Sequence, residues 1–120
     1  RISTSCCEAM RATAEVTVEE GMPVLMNTNS VIDGLRSSAG TALGAENVQL
    51  LSSASPGSDD FSCLLNACNN HGAQFLLGTA IESKPNTSLG LHVAENIFPS
   101  ETLPYGVSAL AQFAVDFLSL

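Results

Sequence analysis

Positive charge is the scarcest ingredient of this sequence. The 120 residues contain four cations (Arg1, Arg11, Arg36 and Lys84) against twelve carboxylates, for a formal net charge of -8. That balance excludes a surface built to hold nucleic acid or anionic membrane, since both require clustered Lys and Arg. Charge of either sign is sparse: 13% of residues are charged, where soluble domains run at roughly a quarter. No apolar run reaches the ~18–20 residues needed to span a bilayer. The sequence has no Gly-x-Ser-x-Gly, no His-Glu-x-x-His and no phosphate-cradling glycine loop. The chain opens at Arg1 with no charged-then-apolar leader, and is read as an excised piece or part of a longer protein. Four cysteines, two of them the adjacent Cys6 and Cys7, make no disulfide framework. They are expected to be reduced and mostly buried.

What is present is apolar. Hydrophobic residues make up 45% of a length that suits one domain. A chain so apolar and so short of surface charge should have much of its surface covered by something else. Ile2, Cys6, Ala9 and Met10 fall at helical spacing, so residues 1 to about 12 read as a helix end. In "ATAEVTVEEG", Ala14, Val16 and Val18 alternate with Glu15, Thr17 and Glu19, the period of a strand with one wet face. Gly21 and Pro23 interrupt this pattern and mark a hinge. Beyond it, Val31, Leu35, Ala39, Ala42 and Leu43 form a helical stripe stopped by Gly44. "NVQLL" is a short strand, and residues 59–67 a short helix. "QFLLGTA" reads as a strand buried on both faces, and Val107, Leu110, Ala111, Ala114, Phe117 and Leu118 mark an amphipathic C-terminal helix. Alternating helices and strands after the hinge imply an α/β fold with a mostly parallel sheet.

"GSDDF" sets Asp59 beside Asp60 with almost no cation to pair them. Adjacent carboxylates raise each other's pKa unless a cation, a metal or a helix N-terminus takes up the charge. The plainer reading is a helix cap, with Ser58 or Asp59 accepting the free N–H groups of the following helix. His92 closes the glycine-containing loop "SLGLH", and a lone histidine is ordinarily a surface or satisfied core residue. His71, in "NNHGA", reads as a loop residue. Cys68 and His71 have ligand-like spacing but no second pair, which makes them a weak zinc signal.

Taken in order, "GSDDFS", "FLLGTA", "LH", then a Phe, a Glu, "LPYG" and an amphipathic helix resemble the C-terminus of the zinc-dependent aminoacylase and carboxypeptidase family. The branch resembled is that of the amidohydrolases that cleave N-acyl amino acids, including auxin conjugates. There the corresponding pieces read Gly-x-Glu-Asp-Phe, a buried strand ending in Leu-Gly, Leu-His-Ser-Pro, and Leu-Pro-x-Gly at the last helix. The resemblance spans nearly the whole chain, and each short motif is weak by itself.

Several expectations follow from it. His92 matches the last metal-ligand histidine of a site for two divalent ions, zinc or manganese, which activate the hydrolytic water. Gly57, Ser58, Asp59 and Asp60 match a loop near the substrate's carboxylate end, with Asp59 standing where Glu is usual. Residues 1–24 would end a lid and dimerisation domain of α+β type. Residues 25–120 would form the C-terminal part of the parallel-sheet catalytic domain. The implied activity is metal-dependent hydrolysis of the amide bond in N-acyl amino acids or small peptides, by a homodimer. This segment would be inactive without the N-terminal half of the same enzyme, which carries the remaining ligands and the general-base glutamate. Val93-Ala94 departs from the usual Ser-Pro. The competing class is a non-catalytic binding or assembly module without the metal.

Overall fold

The computed structural model describes residues 1–119. Its elements are helices α1 (Ile2–Ala9), α2 (Asn29–Leu43), α3 (Phe61–Ala67) and α4 (Leu103–Leu118), with single 3-10 turns at Ala45–Asn47, Pro85–Ser88 and Ser100–Thr102. The expected parallel sheet does not form. Among the described residues the β structure is one isolated bridge between Ile81 and Lys84. The α/β assignment, and with it the α+β lid ahead of residue 25, is therefore corrected to a helical architecture.

The reason lies in what a strand needs. Alternation or a continuous apolar run describes a segment that fits a sheet, but a strand exists only when a neighbour takes its N–H and C=O groups. Residues 14–20 have the period and no ladder, and Val18 stands 88% exposed. Residues 74–80, expected to be buried on both faces, leave Leu76 69% exposed. "NVQLL" fares the same way, with Leu50 and Leu51 in solvent.

The helices follow local chemistry more closely. α2 begins where Thr28 is extended and its carbonyl accepts the N–H groups of Val31 and Ile32, each at 3.0 Å. It ends at Gly44, whose φ of +91° is a conformation that L side chains rarely adopt. A Cβ there would also displace the flexible Glu46 carboxylate, but it is the backbone angle that calls for glycine. α4 starts four residues earlier than its stripe, because Pro104 sits in the first turn, where its missing N–H costs nothing. α3 ends in a pair of left-handed residues, Asn69 and Asn70 (φ 54° and 57°), and Asn tolerates that region best after glycine. The Asn70 N–H closes this end on the Leu65 carbonyl at 2.7 Å.

α2 and α4 form the packed helix pair of the molecule. Leu35, Ser38 and Ala39 of α2 and Ala109 of α4 are buried, and Gly34 brings the helices close enough that a Cβ would lie 3.3 Å from Phe113 Cε2. On α4, Ala109 is buried and Phe113 lies against Gly34, whereas Val107, Leu110, Phe117 and Leu118 of the stripe read from the sequence are all exposed. A second cluster joins residues 27–28 to 70–74. The Asn27 side chain donates to the Gln74 carbonyl (3.2 Å) and accepts the Gln74 N–H (2.8 Å). The Thr28 N–H reaches the Gly72 carbonyl at 2.9 Å.

The molecule is open, measuring 63 × 40 × 21 Å with a radius of gyration of 20.3 Å. A compact chain of this length has a radius of gyration of about 14 Å. Its accessible surface is 9839 Å², where about 6,100 Å² is expected for a folded monomer of this mass. The cysteines follow suit. All four are free as expected, but Cys6, Cys63 and Cys68 are exposed rather than buried, and Cys7 is half-buried.

Candidate functional site

The acidic loop is an exposed turn leading into α3. Gly57 donates its N–H to Ser55 Oγ at 3.2 Å, and residues 57–60 are all solvent-exposed. Asp59 and Asp60, adjacent in sequence, have separate tasks. Asp59 Oδ1 accepts the Phe61 N–H at 2.8 Å, closing a turn of the Asx type. Its Oδ2 accepts from Gln74 Nε2 at 3.2 Å. Its carbonyl takes the Ser62 hydroxyl at 2.7 Å and the Ser62 N–H at 3.2 Å. The Asp59 carboxyl is consequently held below its ordinary range, first by the Phe61 N–H and then by the Gln74 amide. Asp60 occupies the cap position itself with helical backbone angles and makes no side-chain cap bond. The capping reading is thus met, by Asp59 from one residue further out.

Gln74 and Asn27 escaped attention in the sequence. They form a relay in which Asn27 grips the backbone of Gln74 and the Gln74 side chain grips Asp59. Two isolated amides, 47 residues apart, carry no spacing signal that could have predicted this. The relay fixes the 57–60 loop against residues 27 and 74, and it is the one arrangement in which an expected site residue meets distant parts of the chain.

His92 lies elsewhere. It is exposed, in a turn where the Val93 N–H reaches the Gly90 carbonyl at 3.2 Å. His71 is likewise exposed, its N–H on the Cys68 carbonyl at 3.0 Å beyond the end of α3. Among the described residues no three His, Cys, Asp or Glu side chains stand close enough to hold a metal ion. A catalytic zinc takes three or more protein ligands, so these residues do not fit the ion by themselves. Lys84, one of the four cations, is engaged with Glu101 in an exposed ion pair at 2.5 Å, which lowers the Glu101 pKa. No helix among the described residues is long and apolar enough to cross a membrane. Comparison with protein-family models, curated proteins and solved structures found no match.

Proposed function

We propose that this chain is a segment of a metal-dependent amidohydrolase acting on N-acyl amino acids or small peptides, and that it works only when joined to the remainder of that enzyme. The observation that carries this reading is the ordered run of motifs at 57–62, 75–80, 91–92 and 103–106. The helical architecture lends it no support. The exposed apolar surface does, because a segment built to be covered exposes such surface when it stands by itself.

In this reading residues 1–24 and 25–120 belong to different parts of the enzyme, and the assembled enzyme is a homodimer. His92 supplies one nitrogen to the divalent site and the other ligands come from outside the chain. Residues 57–60 face the substrate's carboxylate end. Asp59, tied by Phe61 and Gln74, positions that loop, and Gly57 and Ser58 lie exposed where a ligand could approach. Activation of water belongs to residues outside this chain.

The test is made on the full-length parent protein, whose upstream sequence should contain a His-x-Cys-Gly-His-Asp-like motif and a Glu-Glu pair. Metal content by elemental analysis and hydrolysis of an N-acetyl amino acid are measured for wild type, His92→Ala and His71→Ala. His92→Ala should lose one metal equivalent and nearly all turnover, and His71→Ala should keep both. Full metal and activity in His92→Ala would make His92 an ordinary turn residue and return the chain to the class of metal-free binding modules.

A further inference from the structure

Asp116 stands where a carboxylate is poorly placed. It lies in the last turn of α4, whose free carbonyls already concentrate negative potential, and no basic residue shares that turn. Among the described residues no cation pairs with it; the ion pair of the molecule is Lys84 with Glu101. Two donors hold its oxygens. Ser38 Oγ, on a buried residue of α2, donates to Oδ2 at 2.5 Å, and Gln112 Nε2 donates to Oδ1 at 2.9 Å.

The Ser38 bond ties α4 to α2 while the Gln112 bond stays within α4, and an asparagine would serve Ser38 equally well through its amide oxygen. The structural task therefore needs an acceptor and leaves the negative charge unused.

That charge opens onto a groove. Between α2 and α4 lies a half-open cavity of about 390 Å³, lined by Val31, Gly34, Phe113, Asp116 and Phe117 and edged by serine hydroxyls. Its volume falls in the range of small-molecule sites. Gly34 makes it possible, since any side chain there would press on the Phe113 ring. The Phe113 and Phe117 rings stand 5.8 Å apart between centroids, tilted by 38°. Aromatic faces attract cations, as do a carboxylate and a helix C-terminus. Three features that favour positive charge thus meet at one apolar groove, on a chain of net charge -8.

We propose that the groove between α2 and α4 binds a small organic ammonium ion, with its apolar body against Val31, Phe113 and Phe117 and its charged head at Asp116. The proposal stands apart from the amidohydrolase reading, because none of these residues belongs to the 57–60 loop or to His92.

The probe is benzylammonium, with benzyl alcohol as its neutral counterpart. The full chain is captured sparsely on a sensor surface so that molecules cannot associate, and binding is read by surface plasmon resonance. Wild type should saturate with a dissociation constant of about 1 mM, as suits one exposed charge and one small apolar body. Asp116→Asn keeps the acceptor for Ser38 and removes the charge, and should weaken binding about tenfold. Phe117→Leu alters an exposed ring and should weaken it about threefold. Both variants should keep the wild-type helical circular dichroism. The proposal is overturned if wild type shows no saturable binding, if Asp116→Asn binds as tightly as wild type, or if benzyl alcohol binds as well as benzylammonium.

Discussion

Leu35→Ala should cost this molecule more of its helix than any other single truncation. Among the described residues Leu35, Ala39, Leu65 and Ala109 are the buried apolar ones, and Leu35 is the one large side chain of these on α2 or α4. Truncating a buried leucine costs about 2–5 kcal/mol, depending on how far the site collapses. Leu35 is 8% exposed in a molecule with little buried surface around it, so partial collapse is available and the lower half of that range applies. An ordinary domain of this length is stable by about 6–18 kcal/mol. A pair of helices with so little buried surface lies well below that range, and a loss of about 2–3 kcal/mol would leave α2 and α4 largely unpaired. The assay is amide hydrogen exchange on α2 and α4, alongside helical circular dichroism. Protection should vanish in both helices together, while α3, which packs on neither, keeps its own rates. Leu118→Ala is the control: at 82% exposure its effect should stay within about 0.5 kcal/mol. If Leu35→Ala leaves protection in both helices unchanged, the α2–α4 contact is not what holds them.

Three further outcomes follow from local geometry. The Asp59 pKa is depressed in the folded state, so its contribution to the 59–62 turn is present above the unfolded carboxyl range and lost as pH falls through the folded value. In an NMR titration the Asp59 carboxyl and the Phe61 amide should therefore shift together below the usual aspartate pKa; a Phe61 amide that ignores the titration would refute the turn. Gly44→Ala forces a side chain into φ +91° and onto Glu46, and should shorten α2 at its C-terminal end with a loss of about 1–3 kcal/mol, read by thermal melting. Lys84→Ala should change stability by less than about 1 kcal/mol even at low salt, since the pair with Glu101 is exposed on both sides, and a larger loss would show that the pair organises its loop.

Helix existence was legible in the sequence because its causes are local. Gly44 stops α2 where the sequence places its end, and Pro104 and the Asn69–Asn70 pair, though not read as signals there, likewise act within a few residues of themselves. The buried face of α4 was not legible. Val107, Leu110 and Leu118 have the right spacing and stand exposed, while Ala109 is buried and the Phe113 ring lies against Gly34, where the missing side chain leaves room for it. The strands failed for a different reason. Residues 14–20 and 74–80 carry correct strand patterns, but pairing depends on a second segment that a pattern does not name. Of the site, the Asp59 cap could be anticipated from "SDDF", whereas the amide relay through Asn27 and Gln74 depends on a tertiary contact and leaves no trace in spacing.

The misread stripe on α4 and the unpaired apolar segments have one consequence in common. The molecule exposes about 3,700 Å² more surface than a folded monomer of its mass, and apolar side chains contribute to it: Val18, Leu51, Leu76, Leu91 and Leu118 are each at least 69% exposed. An excess of that size equals the area buried in an obligate interface, which runs from about 2,000 to 5,000 Å². At about 25 cal/mol per Å² even half of it is worth tens of kcal/mol, far above the cost of bringing two chains together. A solution of this chain should therefore hold a radius of gyration near 20 Å only at high dilution, and associate as concentration rises. Small-angle scattering over a dilution series reads this directly. A concentration-independent radius of about 14 Å would mean that the chain folds its apolar segments onto itself, and that the uncovered surface is not an interface.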